Sequence, residues 1–334
     1  MTRRLSEVAK KAGVSEATVS RVLNGRDGVS EATRAAVLTA LDVLGYERPT
    51  KLRGERARLV GLVLPELQNP IFPAFAEVVT GALVQRGFAP ALCACTIGGV
   101  SEVEFVDMLL GHQVSGVIFA GGLYAFSDAD HGHYRPLIDR KLPVVLVNAG
   151  ADGLGYPRVS ADDAVAVEQG FNHLVSLGHR RIGAVLGPEG HVPSQRKLAA
   201  LEAAAAQVPG VEHLLERSDF TMEGARAAAT RLVQRGTTAI VTAGDIQALG
   251  SIRAARRLGL AVPRDVSVIG FDDSAFMTCT DPPLTTVRQP IEAMGQAAVE
   301  LLVNQIGGVG VAVDELLFEP ELVVRGSTGP APGR

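Results

Sequence analysis

The side chains able to carry covalent or metal chemistry in this 334-residue chain are spaced wrongly for it. Asp162-Asp163 and Asp272-Asp273 are adjacent carboxylates, whereas general acid–base work needs two that face each other across a substrate. Adjacent acids suit helix N-termini, where they accept from free backbone N–H groups. The seven His contain no HExxH pair, and neither a GxSxG nucleophile turn nor a P-loop occurs. Gly98-Gly99 and Gly121-Gly122 are isolated loop pairs. Cys93, Cys95 and Cys279 are too few for a disulfide framework, and Cys93 and Cys95 alternate along an apparent strand, pointing to opposite faces. They read as small apolar residues in a reducing compartment. No catalytic residue, metal or cofactor is expected.

The composition instead separates two parts. Residues 1–58 carry +5 and the remainder −9, although the total is only −4. A small basic head on an acidic body is the charge arrangement of a nucleic-acid-binding module attached to a second domain. Only five of the 32 basic residues are Lys, so an Arg by itself says little about bidentate recognition here. No apolar run of about 18 residues occurs, and the segment Met1–Glu7 turns amphipathic instead of entering an apolar signal core. A membrane span is not expected, and the cytoplasm is the expected compartment.

The elements that must position any DNA-reading groups lie in the head. Leu5, Val8, Ala9 and Ala12 recur at helical spacing until Gly13 breaks the helix. Ser15 is placed to cap a second helix from Glu16 to about Asn24, and Ser30 a third, striped by Val37, Leu41 and Leu44 and ended by Gly45. A helix, a short Gly-containing turn and a second helix make a helix-turn-helix, whose second helix enters the major groove. On spacing alone, a small protein-binding helical bundle remains open.

The residues go further than the spacing. Ala12-Gly13-Val14-Ser15-Glu16-Ala17-Thr18-Val19-Ser20-Arg21-Val22-Leu23-Asn24, with Val29–Arg34 and Leu44-Gly45-Tyr46, resembles the headpiece of the lactose-repressor and galactose-repressor family of transcriptional regulators. The resemblance places Glu16, Ala17 and Arg21 where the family reads bases. Glu can accept from cytosine N4, Ala can touch a thymine methyl, and Arg suits guanine O6 and N7. For Glu16 a first-turn helix-dipole role is the alternative. Ser15, Thr18, Ser20 and Asn24 match phosphate-contacting or capping positions. The family's hinge helix, with its minor-groove Leu wedge, is matched less closely by Tyr46–Arg58. Counted back from Gly61, Leu52 falls at the wedge position; counted forward from Tyr46, it arrives three residues early. A short hinge helix from Pro49 to Gly54 and a flexible basic linker are both open.

Beyond Leu59, apolar runs at 60–64, 90–93, 116–119 and 144–147 alternate with helical patterns at about 71–86, 101–112 and 134–141. The alternation restarts with runs at 182–186, 239–241 and 266–270. Continuous apolar strands between helices predict an α/β fold with two doubly wound, mostly parallel lobes, which bind ligands at the carboxyl ends of their strands.

The family resemblance extends over this body through Gln68–Phe72, Leu177–Ile182, Pro263–Asp273, Pro282–Pro290 and Leu322–Ser327. It implies a core like that of periplasmic sugar-binding proteins, with chain crossings near 161, 289 and 319. The expected organisation is a headpiece (1–46), a hinge (47–58), an N-terminal lobe (59–161 with 290–318), a C-terminal lobe (162–289 with 319–326) and a disordered tail (327–334). By the same resemblance Asp272 binds effector hydroxyls, Arg196 is the effector-binding cation and Phe220 stacks on the effector ring. Ile71, Phe72, Asn148 and Ile291 fall on the pocket wall. The other readings are that Phe72 and Phe220 are core and that Arg196 pairs with a neighbouring carboxylate. Gly244-Asp245 stands where the family commonly has Asn-Asp, and the loop Gly187–Pro193 offers few hydroxyls. An ordinary hexose is therefore in question, and His191 in that loop is a further candidate contact.

The implied protein is a homodimeric regulator of double-stranded operator DNA, controlled by a small-molecule effector, a sugar or sugar derivative. A regulator with a vestigial pocket tuned by a protein partner, and a sugar-binding transport protein, are the alternatives.

Overall fold

The computed structural model describes residues 2–23, 28–44, 58–96, 98–151 and 153–333, and the chain divides into two compact units at Arg58/Leu59. Asn24, Leu52 and the hinge segment 47–57 lie outside the described residues.

The first unit is three helices, α1 (Thr2–Ala12), α2 (Glu16–Leu23) and α3 (Glu31–Val43). Gly13 adopts φ +69°, a left-handed turn that costs glycine no Cβ clash. The turn lets the Val14 N–H donate to the Ala9 carbonyl at 3.0 Å. Ser15 Oγ accepts from Thr18 N at 3.1 Å, and Ser30 Oγ accepts from Thr33 N at 3.2 Å. Val8, Val19, Val22 and Val37 are fully buried between the helices, with Ala9, Ala40 and Leu41 around them.

The second unit is built on two six-stranded sheets. Its elements run β1 (Arg58–Leu64), α4 (Ile71–Gln85), β2 (Phe88–Ala94), α5 (Glu102–Gly111), β3 (Gly116–Phe119), α6 (Arg135–Asp139), β4 (Val144–Val147) and β5 (Arg158–Ala161). Then follow α7 (Asp163–Ser176), β6 (Arg181–Leu186), α8 (Val192–Ala206), β7 (Glu212–Arg217), α9 (Met222–Gln234), β8 (Ala239–Thr242), α10 (Asp245–Arg257) and β9 (Ser267–Asp272). β10 (Thr285–Arg288), α11 (Ile291–Ile306), β11 (Glu315–Phe318) and β12 (Glu321–Val323) complete it. The strand orders are β11-β5-β4-β3-β1-β2 and β12-β10-β9-β8-β6-β7. The chain passes between sheets after Ala161, after Arg288 and after Phe318. In each sheet the order reverses beside the first strand, at β1/β3 and at β6/β8, the switch points where such sheets leave a crevice. The central strands are mostly apolar because helices cover both faces: β3, β4 and β9 are buried along their whole length, β9 with the polar Ser267 and Asp272 at its ends. On α11, Met294, Ala298, Val299 and Leu302 form the buried stripe against the first sheet.

The expected disorder of residues 327–334 is overturned for the described part of that segment. Ser327 is fully buried, and its Oγ accepts from Thr285 N at 2.8 Å and donates to Val268 O at 2.6 Å. The Ser327 carbonyl accepts from Val268 N, Gly329 N donates to Ser267 Oγ at 3.0 Å, and Ala331 N donates to Leu177 O. His179 Nε2 lies 3.1 Å from the Gly329 carbonyl and His173 Nε2 lies 2.9 Å from Thr328 Oγ1. A Gly/Pro-rich composition signals disorder only when the backbone has no fixed partners. Here the tail supplies partners to buried backbone groups of β9 and β10. Ser327→Ala leaves the buried Thr285 N–H unpaired, which costs about 1–3 kcal/mol. A melting curve should show a loss of roughly 2–10 °C, and an unchanged midpoint would return the tail to a dispensable extension.

Candidate functional site

On α2 the apolar residues Val19 and Val22 face the headpiece core, while Glu16, Ala17 and Arg21 are exposed and Ser20 is half-buried. Residues 16, 17, 20 and 21 therefore share the outward face of a helix short enough for a major groove. Ser15 and Thr18 sit at its N-terminus, their hydroxyls 2.9 Å apart.

In the second unit, the strands of both sheets end on one cavity of about 220 Å³, well above the roughly 10–15 Å³ that one water needs. Residues after β1 (Glu66, Asn69), β3 (Gly121, Gly122), β4 (Asn148), β8 (Gly244) and at the end of β9 (Asp272) face it, together with α4, α8 and α11. Its walls carry Phe72, Phe75, Phe126, Phe220 and Phe271. A Cβ at Gly187 would collide with Phe220, so glycine there lets the ring lie against the end of β6.

The polar groups of the cavity form connected chains. Asn148 Nδ2 donates to Gln289 Oε1 at 3.3 Å, and Gln289 Nε2 donates to Asp272 Oδ1 at 2.7 Å. Asn69 Nδ2 lies 3.4 Å from Asp272 Oδ2, and Asn148 Oδ1 accepts from Ala161 N. Asn148 and Asp272 both adopt positive φ, +66° and +124°, conformations costing about 1–3 kcal/mol that cluster at functional sites. Burial pushes the Asp272 carboxyl well above the usual carboxylate range, and the neighbouring Asp245 carboxylate adds to the shift. Asp245 is raised mainly by burial, against hydrogen bonds from Thr286 Oγ1 and Ser274 N. Lys197, 5% exposed, ion-pairs with Asp163 and places Nζ 3.9 Å from the Phe271 ring centre. His191 is held by Ser194 Oγ at 2.9 Å, with Phe126 and Phe220 ring centres 5.1 and 4.8 Å away. Burial, and then the Lys197 charge, push its pKa down to about 3, so its imidazole is neutral near pH 7.

Of the residues singled out in the sequence, Ile71, Phe72, Asn148, Phe220, Asp272 and Ile291 border this cavity. Arg196 does not, which corrects its reading as the cavity's cation. Its guanidinium makes a two-pronged pair with Glu315 of β11, at 2.7 and 3.0 Å. On α8 the buried face runs through Ser194, Lys197, Leu201 and Ala205, and Arg196 points about 100° away from Lys197. Lys197, Asn69 and Gln289 were missed. For Lys197 the signal was available, since it lies four residues before Leu201 on the core stripe. The reading of the histidines also passed over one His-x-His spacing, His131-Gly132-His133. The two rings turn to different partners: His131 Nε2 to the Leu123 and Phe126 carbonyls, and His133 Nε2 to Glu102 at 2.9 Å. Among the described residues no group of three or more His, Cys, Asp or Glu is arranged to hold a metal. No described helix is long and apolar enough to cross a membrane.

A helix-turn-helix unit joined to a doubly wound core with a cavity between its two sheets defines a transcriptional regulator. Comparison with known proteins agrees at both ends of the chain. Residues 4–49 match the family model of bacterial regulatory proteins, lacI family, and residues 171–328 match a periplasmic binding protein-like domain. The chain is 53% identical to the HTH-type transcriptional regulator reg1 of Streptomyces lividans, over 100% of this chain and 99% of that one. Among solved structures it resembles the regulator CelR in complex with cellobiose (33% identity, 97% and 99% of the two chains, TM-score 0.72). It also resembles the lac repressor dimer bound to operator and the anti-inducer ONPF (29% identity, 96% and 98%, TM-score 0.71). The chain belongs to the lacI family of bacterial regulatory proteins.

The buried carboxyls set a pH dependence. A carboxyl whose folded pKa is raised above its unfolded value binds its proton more tightly when folded, so stability falls as pH rises through that raised pKa. Asp272→Asn removes the Asp272 part of this penalty. The variant's melting temperature should decline less than wild type's between mildly acidic and mildly alkaline pH. Parallel pH profiles would show that Asp272 is ionised at no cost.

Proposed function

We propose that the protein binds a near-palindromic operator as a homodimer and that a saccharide in the core cavity changes its affinity for that operator. Residues 1–46 serve as headpiece, 47–58 as hinge, 59–161 with 290–318 as one lobe and 162–289 with 319–326 as the other. Arg21, with Glu16 and Ala17, reads base edges in the major groove; Ser15, Thr18, Ser20 and Asn24 set register on phosphates or cap the helix. Leu52 serves as the minor-groove wedge. The protein acts in the cytoplasm and catalyses no reaction on its ligand.

The observation that carries the ligand half is the hydrogen-bonded chain Asn148–Gln289–Asp272–Asn69, which joins both sheets across the cavity. A carboxyl with unfilled acceptor capacity beside amide groups, under aromatic walls, suits the hydroxyls and apolar faces of a sugar ring. The bound cellobiose of CelR supports a saccharide, and the operator-bound lac repressor dimer supports two headpieces on one palindromic site. Binding that favours one angle between the lobes biases DNA affinity, and the sign follows from which state the ligand prefers.

The halves separate by mutation. Arg21→Ala should weaken operator binding by about 10- to 100-fold, the equivalent of about 1–3 kcal/mol, while leaving ligand-induced thermal stabilisation intact. Asp272→Ala should abolish that stabilisation and leave operator binding in the absence of ligand. Loss of ligand response in Arg21→Ala would contradict the assignment of separate roles.

A further inference from the structure

We infer that the cavity is selective for uncharged saccharides and rejects phosphorylated and other anionic ones. The inference rests on the reading of this cavity as the effector site and concerns what that site admits.

The argument is one of charge already committed. A site for a sugar phosphate offers a free cation or a ring of free backbone N–H groups. Lys197 is the one Lys or Arg on the cavity wall among the described residues, and its Nζ is paired with Asp163, itself 7% exposed. Wherever the shared proton resides, the pair is neutral. Off the wall, Arg196 is bound by both oxygens of Glu315, which Arg158 Nε also approaches at 3.7 Å, and Arg217 donates to the Gly187 and Pro188 carbonyls at 3.0 and 3.4 Å. The remaining titratable groups on the wall are Glu66, Asp272 and the neutral His191. Among the described residues no titratable group on the wall is left to offer an anion a positive charge, and any charge that Glu66 or Asp272 carries is negative.

Helix N-termini are the strongest opposing effect, because α4, α7, α8, α10 and α11 all begin at or beside the cavity. At three of them, α7, α10 and α11, this chain places its own negative charge, and α7 alone of the three carries a side-chain cap. Asp162 Oδ1 accepts from Ala164 N and Val165 N at the start of α7, and Asp163 follows in its first turn. Asp245 occupies the first turn of α10, and Glu292 that of α11. Asn69 Oδ1 takes the Ile71 N–H of α4, while Pro193 removes one donor from α8. What the wall presents to a ligand is a set of neutral amides, the Asp272 carboxyl and aromatic faces. That set fits hydroxyls and the apolar faces of sugar rings.

The test is isothermal titration of the full chain with matched pairs: glucose and glucose 6-phosphate, trehalose and trehalose 6-phosphate, with maltose and cellobiose as further neutral disaccharides. At least one neutral saccharide should bind, and each phosphate should bind about 100-fold or more weakly than any neutral parent that does. A phosphate that binds as tightly as its neutral parent overturns the inference while leaving a saccharide site in place. Silence across the whole panel removes the saccharide reading itself, and the inference with it. Asp163→Asn, by freeing the Lys197 charge, should narrow the neutral-to-phosphate ratio by about 10-fold or more; an unchanged ratio in the folded variant would show that Asp163 is not what cancels Lys197. If that variant does not fold, the wild-type ratio decides.

Discussion

The core of this molecule is organised around one buried carboxyl. Asp272 ends the central strand of the second sheet, and burial disfavours its charge unless it is hydrogen-bonded. The partners that satisfy it do not come from its own lobe alone. Gln289 lies on a crossing between the sheets, and Asn69 follows the first strand of the other sheet. Gln289 is in turn held by Asn148, at the end of β4. A single amide on the crossing thus joins two strand ends, each in a strained left-handed conformation. The geometry of the cleft is tied to whether this chain of bonds is intact.

Most other features of the cavity follow from that requirement. Parallel strands deliver their carboxyl ends to one place, and the helices that follow them deliver their N-termini. Those termini attract negative charge, which the chain supplies at α7, α10 and α11 with its own Asp and Glu side chains. Among the described residues the one Lys or Arg on the wall, Lys197, is neutralised by Asp163, and breaking such a buried pair by removing one partner costs about 3–5 kcal/mol. The pair is therefore both a fixed part of the fold and a limit on what the cavity accepts. Around it, aromatic rings from both lobes, Phe72 and Phe126 from one and Phe220 and Phe271 from the other, leave the space lined by apolar surface.

How much of this could be read from the residues depends on the range of the interaction. The headpiece is local: helix spacing, Gly13 and the Ser15 and Ser30 caps all act within a few residues, and their positions were legible. The strands β1, β3, β4 and β9 were legible because burial on both faces gives each an uninterrupted run without charged residues, at 59–64, 116–119, 144–147 and 266–271. β7, with the sequence Glu-His-Leu-Leu-Glu-Arg, and β11 lie at sheet edges, where polar residues are tolerated and the apolar signal fades. Arg196 and Lys197 show the same limit within a helix. Both are cations at adjacent positions, and only the buried stripe through Leu201 and Ala205 tells which one faces inward. The tail failed for a different reason. Ser327 and Gly329 are ordered by partners on β9 and β10, more than 40 residues earlier, and composition carries no information about contacts at that distance.

The central claim is that occupancy of the cavity and operator affinity are thermodynamically linked. The direct measurement is the dissociation constant for operator DNA with and without a saturating saccharide found by titration, at one fixed salt concentration because phosphate contacts make affinity strongly salt-dependent. The account predicts a change of roughly 5- to 150-fold, the range of typical coupling free energies, and no change in the Asp272→Ala variant. Equal operator affinity in wild type with the cavity filled and empty would contradict it, leaving a DNA-binding protein whose cavity has no part in regulation.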